Sequence, residues 1–314
     1  MPAALRPIVA RLPQILLIVG ALALMLRTER FFTPGTLASI LAQASIIGVL
    51  AVGQAFVLIG GGFDLSQGAL LALIAAIVGR LSQDAWGWPV CLTAALLGGL
   101  LLGSLNGFFV SVVRTNPFVT TMSTLLIFRG AAFITLSGGQ IKTPVFQGLD
   151  SGFKYGETFV SFRGLIFLAA ALISWIVLRW SVFGQHVYAL GGNAEAARLA
   201  GVRTIRLRIW TFALSGLAAG AAAVLFLAWV RMAKADTAVG YEFDSIAACV
   251  VGGVSLQGGR GSVLGAAAGA LLLQALRTQI TMSGFPDEYR TFITGVVILT
   301  FAAADALARR NERA

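Results

Sequence analysis

Four polar side chains of this sequence stand where a polar group is expensive. Asp64, Asn106 and Arg129 lie in or beside long apolar runs, and Gln67 follows the triple-glycine break Gly60-Gly61-Gly62. A charge in such surroundings costs several kcal/mol unless it is paired or wet. The chemistry open to these groups is hydrogen bonding and charge pairing along a route or gate. Asp64 also reads as a cap for the apolar run that follows it. Arg129 requires an ion-pair partner or a water-filled cavity. Asn116-Pro117 reads as a helix start with proline in the first turn, and Glu242 and Asp244 are placed to cap the run after them.

Bond-making chemistry lacks its groups. No Gly-x-x-x-x-Gly-Lys-Ser/Thr segment exists, and Lys142, Lys154 and Lys234 sit in no phosphate-cradling context. The single His186 has no cysteine or acidic constellation around it, so neither a metal site nor a cofactor is expected. No Ser/His/Asp or His-Glu-x-x-His arrangement is present, and no chain of intramembrane carboxylates and histidines suggests proton coupling. The reading is of a non-enzyme.

A second polar feature is the insert Phe183–Arg208, the longest arginine-bearing interruption of the apolar pattern. It predicts a short helix. Asn193 is an N-cap, Glu195 lies in the first turn, and Gly201 is placed to end it. Glu195 and Arg198, three apart, can pair on one face. Ala194, Ala196, Ala197 and Ala200 keep the helix surface low, open to close approach by another protein. A two-turn helix is unstable alone in water, so it must dock on something.

The elements that carry these groups follow from composition. Of 314 residues, 58% are hydrophobic and only 11% charged, with a mean hydropathy of +0.87. A soluble globule carries about 25% charged residues. Apolar runs long enough to cross a ~30 Å hydrocarbon layer recur along the chain. Lipid admits only helices or closed barrels, and the runs are too uniformly apolar for alternating barrel strands. The expected class is an all-α, polytopic membrane protein forming a single domain over residues 1–314.

Ten spans are expected. They run near Leu12–Leu26, Leu37–Ile59, Leu65–Arg80, Trp88–Val113, Pro117–Leu136, Leu165–Leu178, Ile209–Val230, Ser245–Val254, Ser262–Leu276 and Phe292–Leu307. The first is read as a retained span, because no small-residue cleavage site follows it. An even number puts both termini on one side. The basic tails, Arg114 and the Arg198–Arg208 cluster share that side, which the positive-inside rule makes cytoplasmic. The insert 137–163 then faces outward, and 180–208 faces the cytosol. The net charge of +10 is spread over loops, which suits membrane anchoring and not nucleic acid. Cys91 and Cys249 both lie in apolar runs, so no disulfide framework is expected.

Two internal patterns stand out. Gly61-Gly62-Phe63-Asp64-Leu65-Ser66 matches Gly252-Gly253-Val254-Ser255-Leu256-Gln257, a possible parallel repeat. Glycines at four-residue spacing (Gly99, Gly103 and Gly107; Gly216 and Gly220; Gly261, Gly265 and Gly269) are devices for close helix approach.

Four sequence blocks, in order, resemble the permease subunits of bacterial ATP-binding-cassette importers for simple sugars of the ribose, xylose, arabinose and galactose type. They are Gly60 to Gly68; Gly103-Ser104-Leu105-Asn106-Gly107 with Asn116 to Thr121 and Phe128-Arg129-Gly130; Phe183 to Gly201; and Tyr241 to Ala248 with Gly252-Gly253 and Gly258 to Ser262. Phe63 and Gln67 depart from the family's usual Ile and Val, and Met122-Ser123 from its common Leu-Gly. The resemblance implies a dimer, with a second copy or a sister permease. It also implies cytoplasmic ATPase subunits and a periplasmic sugar-binding protein. The segment Gly191, Gly192, Asn193, Glu195, Ala196, Ala197, Arg198, Leu199, Ala200 and Gly201 would dock on the ATPase. Lys142, Lys154 and Lys234 are candidates for receiving the binding protein. Other solutes of the same importer class (polyols, nucleosides, branched-chain amino acids) and an ion-coupled carrier are the alternatives.

Overall fold

In a computed structural model the described residues are 31–156 and 158–284, with Met25, Leu26 and isolated positions between 286 and 300. The first expected span, up to Met25, and most of the tenth lie outside them. Six helices are long and apolar enough to cross a membrane. In chain order these are α1 (Pro34–Ile59), α3 (Trp88–Phe108, extended by a π-helical turn to Val113), α4 (Pro117–Leu136), α5 (Phe162–Trp180), α8 (Thr204–Val230) and α10 (Val263–Met282). The other helices are α2 (Gln67–Gln83), α6 (Val182–Gly192), α7 (Ala194–Leu199) and α9 (Tyr241–Val251).

Two of the ten expected spans fall short of a crossing. The eleven residues of α9 reach only about 16 Å. Helix α2 is longer, but its first turn lies deep inside the protein: the Gln67 side chain donates to Leu50 O at 3.2 Å. Leu50 sits nine residues before the end of α1, so the 60–66 segment doubles back alongside α1 by about 13 Å.

Helix α1 is buried from Ala44 to its end and α2 from Gln67 to Ala76, whereas α3, α4 and α5 each turn an apolar face outward. Facing outward are Leu97, Leu101 and Leu105 on α3, Ile127 and Ile134 on α4, and Leu172 and Ile173 on α5. Such faces suit hydrocarbon. Inside, helices meet through glycine. The Gly99–Gly103–Gly107 ladder of α3 interlocks with Gly216 and Gly220 of α8, and an added Cβ on Gly103 would run into the backbone of Phe212 and Gly216. Gly265 and Gly269 of α10 receive the backbone of Gly252 and Ala248 in the same way.

The two glycine breaks are built alike. Gly60 ends α1 at φ −72° and Gly61 follows at +75°; Gly252 ends α9 at φ −73° and Gly253 follows at +83°. Gly60, Gly61 and Gly62 donate to Phe56, Leu58 and Val57 O, as Gly252, Gly253 and Val254 donate to Ala248, Val250 and Cys249 O. The structural register therefore pairs Gly60 with Gly252, one residue off the sequence match. The match returns at Asp64 and Ser255, each of which accepts the amide two residues on. One residue is lost between the glycine turn and the polar turn.

The insert 137–163 carries the only strands besides β4 among the described residues. They are β1 (Gln140–Lys142), a 3₁₀ segment (Pro144–Asp150), β2 (Gly152–Tyr155) and β3 (Thr158–Ser161). Strands β2 and β3 form a hairpin, and β1 pairs antiparallel with β4 (Met232–Lys234) after α8. Asp150 pairs with Arg163 at 2.8 Å and with Arg231 at 3.7 Å, tying the insert to both helix ends. Arg163 also lies over the Trp229 ring, 5.6 Å from its centroid. This end of the bundle and the 181–203 end are separated by the nineteen residues of α5, about 28 Å.

Overpacking the α3–α8 contact should be costly. Gly103→Leu is expected to lower the apparent melting temperature in detergent, by the equivalent of about 1–3 kcal/mol or more. Gly130→Ala, which meets nothing within 4 Å, should not lower it. Equal melting of the two variants would contradict the contact.

Candidate functional site

The helix breaks create the site. Because the 60–66 segment leaves helical geometry inside the bundle, its polar groups must find partners there. Asp64 is fully buried and takes three hydrogen bonds. Its Oδ1 accepts Ser66 N at 2.9 Å and Ser66 Oγ at 2.6 Å, and its Oδ2 accepts Ser215 Oγ at 2.6 Å from α8. No cationic side chain pairs with it among the described residues. Both carboxyl oxygens thus have donors without a counter-ion.

The chain of bonds continues in both directions. Asn106 Nδ2 of α3 donates to Ser66 Oγ at 2.8 Å. Gln67 Nε2 donates to Ser215 Oγ at 2.8 Å, and Gln67 Oε1 accepts Ser245 Oγ of α9 at 2.8 Å. Ser245 Oγ also lies 2.9 Å from Glu242 O. One network therefore joins the α1–α2 break, α2, α3, α8 and α9. Ser66 and not Asp64 occupies the cap position of α2; Asp64 accepts its amide from outside the helix. Of the residues singled out in sequence, Asp64, Gln67 and Asn106 meet here.

Arg129 lies elsewhere. Its Nη1 donates to Ala235 O at 2.7 Å and Thr237 O at 2.5 Å, holding the segment after β4 against α4. That segment leads directly into α9. Lys142 and Lys234 are exposed on the paired strands β1 and β4, and Lys154 is exposed on the β2–β3 hairpin.

At the other end, α6 and α7 meet at Asn193. Its Oδ1 accepts Glu195 N at 3.1 Å and Ala196 N at 2.9 Å. Arg198 Nε and Nη2 reach Glu195 Oε2 and Oε1 at 3.0 and 2.6 Å. The Arg198 guanidinium holds the Glu195 carboxyl below the usual carboxylate range. The pair therefore stands at neutral pH and is lost only as pH falls through that lowered value. Ala197 is buried against the rest of the chain, while Leu199 is 74% exposed. The helix stops at Ala200, and Gly201 takes φ +87°.

The base of this projection touches the helix breaks. Gly259 N donates to Ile59 O at 2.8 Å, joining the loop after α9 to the end of α1. Gly191 lies against both: an added Cβ there would collide with Ile59 O and Gly259 N. Gly258 lies against Gly61 and Gly191, and Gly259 against Gly192. Tyr188 Oη donates to Gly261 O at 2.8 Å. Two helix breaks and the α6–α7 elbow thus share one backbone junction.

Sequence reading missed Ser66, Ser215 and Ser245, because a serine in a small-residue helix is indistinguishable there from packing material. It also missed the meeting of Gly191 with Gly258 and Gly259. The only signal was that all three glycines fall in motif blocks.

The network should be cooperative. Gln67→Leu leaves Ser215, Ser245 and Leu50 O short of a partner, at about 1–3 kcal/mol. In a double-mutant cycle with Ser215→Ala, followed by denaturation in mixed micelles, a coupling of about 0.5–3 kcal/mol is expected. Additive effects would contradict a shared network.

Comparison with known proteins matches this sequence to transport-system permeases. A family described as "Branched-chain amino acid transport system / permease component" matches residues 36–302. The ribose import permease protein RbsC of Escherichia coli K12 is 34% identical over 285 residues, covering 88% of each chain. The galactofuranose transporter permease protein YtfT of the same organism is 36% identical, covering 88% of this chain and 80% of its own. The L-arabinose ABC transporter permease protein AraH of Azospirillum brasilense is 32% identical, covering 92% and 85%. No solved structure matches. With the match running from α1 past α10, the chain belongs to the family of transport-system permease components.

Proposed function

We propose that this chain is the membrane-spanning permease of an ATP-driven importer in the bacterial cytoplasmic membrane, and that its solute is a monosaccharide. The junction of Gly191, Gly192, Ile59, Gly258 and Gly259 carries the mechanical part of this reading. The solute class is supported by the ribose, galactofuranose and arabinose permeases named above.

In this reading separate ATPase subunits supply the power, in keeping with the lack of a phosphate-cradling loop in this sequence. Helix α7 is the part they would hold. Its capped N-terminus, short length and exposed Leu199 make a projection that a groove can grip. Because Gly191 and Gly192 leave no side-chain cushion, movement of α7 reaches Ile59 and Gly259 as backbone displacement. From Ile59 the displacement runs into the 60–66 segment, and from there into the Asp64 network. Packed bundles respond to such displacement by switching between discrete arrangements. The solute itself undergoes no chemistry.

In this reading 180–208 and both termini face the cytosol, and the 137–163 insert faces the periplasm. A loaded sugar-binding protein would dock over the paired β1–β4 strands, with Lys142, Lys154 and Lys234 as positive contacts. A second permease, identical or a sister, would complete the route. The family description names branched-chain amino acids. A non-sugar solute of the same importer class is therefore the second reading, and uptake across a panel of labelled solutes separates the two.

In proteoliposomes holding the complete importer, Glu195→Trp is expected to leave ATP hydrolysis running while uptake falls at least about tenfold, a barrier change of about 1.4 kcal/mol. Asn193→Ala should weaken coupling less, because it removes the cap but not the helix surface. Unchanged uptake in Glu195→Trp would contradict the docking role.

A further inference from the structure

Between β4 and α9 the chain makes a strap, residues 235–240, that dips inward to the level of the α2 N-terminus. An added Cβ on Gly68, the second residue of α2, would strike Ala238 O and the Glu242 carboxylate. The strap turns through left-handed backbone at Ala238 (φ 58°) and Gly240 (φ 87°), and Ala238 carries the steric cost of that conformation. It is held by opposite charges from opposite sides. Arg129 of α4 donates to Ala235 O and Thr237 O. Glu242, in the first turn of α9, accepts Gly240 N at 3.2 Å through Oε1.

Glu242 is only 4% exposed, and its Oε2 has no hydrogen-bond partner. A buried carboxylate oxygen without a donor is costly, so its retention asks for a reason. The nearest reason is Arg129. The two charges attract through space, yet no ion pair joins them among the described residues. Arg129 spends Nη1, and Glu242 its Oε1 alone, on the backbone of the strap that lies between them. Of the other groups facing this region, Asp236 also attracts Arg129 but is exposed, and Asp244 is engaged by Arg277.

We propose that Glu242 is a positioning residue of the transport cycle, the exchange partner of Arg129 in a latch that closes the strap over Gln67 and Gly68. In the latched state both charges grip the strap. When α9 moves with the junction below it, Arg129 leaves the carbonyls of Ala235 and Thr237 and takes the vacant Glu242 oxygen, and the strap swings clear. The free oxygen is what makes the second state accessible: the attraction released from one set of bonds is recovered in the other. Opening exposes the Gln67 end of the buried network to the side of the 137–163 insert. This inference rests on the importer reading for its driving force, although not on the identity of the solute.

The test uses the complete importer in proteoliposomes, with Thr237→Cys placed in a Cys91→Ala, Cys249→Ala background. An impermeant maleimide is applied from the side of the 137–163 insert. Thr237 is buried, so labelling should be slow at rest. It should rise at least about fivefold, the low end of an allosteric coupling, when an ATP analogue traps the moved state. Glu242→Gln keeps an acceptor for Gly240 N but loses the charge; the nucleotide-dependent rise should vanish while resting labelling and ATP hydrolysis persist. Glu242→Asp, which retains the charge, should restore part of the rise and guards against a variant that merely misfolds. A full rise in Glu242→Gln, or none in the parent, would overturn the latch. A normal labelling response with no uptake of any monosaccharide on a panel would support the latch and defeat the sugar reading instead.

Discussion

A carboxylate inside an apolar helical bundle must have its hydrogen bonds made locally, and the interior of this protein is arranged around that demand. Asp64 is fully buried, and two hydroxyls and one amide satisfy it. Those donors can reach it only because α1 stops at Gly60 and the chain doubles back to place Ser66 and Gln67 level with Ser215. Helix α2 then starts deep inside, α9 must present Ser245 at the same level, and α3 must come close enough for Asn106 to reach Ser66. The glycine ladders of α3 and α8 are the condition for that closeness, since any side chain at Gly103 or Gly216 would hold the helices apart. Neutral groups would pack more easily here. What the polar network adds is a fixed register among five elements, because a slip of any one leaves buried groups unpaired.

The same breaks that create the network give it a handle. Helix ends are where backbone can bend without tearing a ladder of hydrogen bonds, and the glycine turn after α1 and the Gly258–Gly259 loop after α9 both end against the α6–α7 elbow. A rigid, glycine-lined contact transmits displacement that a cushion of flexible side chains would absorb. The projecting α7 and the buried Asp64 are thus connected by two short steps of backbone. At the far end, the strap held by Arg129 and Glu242 lies over Gly68, next to Gln67.

Much of this was legible from residue types alone. The spans follow from hydropathy, and the two inserts from interruption of the apolar pattern. Asn193, Glu195, Arg198 and Gly201 specified α7 nearly to the residue, since capping is local chemistry. The glycine ladders announced close contacts but not their partners, because a four-residue spacing says that a face is smooth and not what lies on it. Helix α9 was expected to span and is too short, since an apolar run reads alike whether it crosses lipid or stops at a buried turn. Strands β1 and β4 were not foreseen: three-residue strands ninety residues apart leave no periodicity to read. Arg129 was marked as needing a partner. That its partners are carbonyl oxygens across a strap follows only from tertiary placement.

The central claim, that movement of the projecting helix is carried through the glycine junction into both breaks, is most directly tested by hydrogen exchange on the assembled importer with and without a trapped ATP state. Amides of 59–66 and 252–262 should change protection together with those of 193–201, while the α3–α8 contact stays protected. A changed 193–201 segment beside unchanged breaks would mean that the junction is only a packing contact and that the force takes another path.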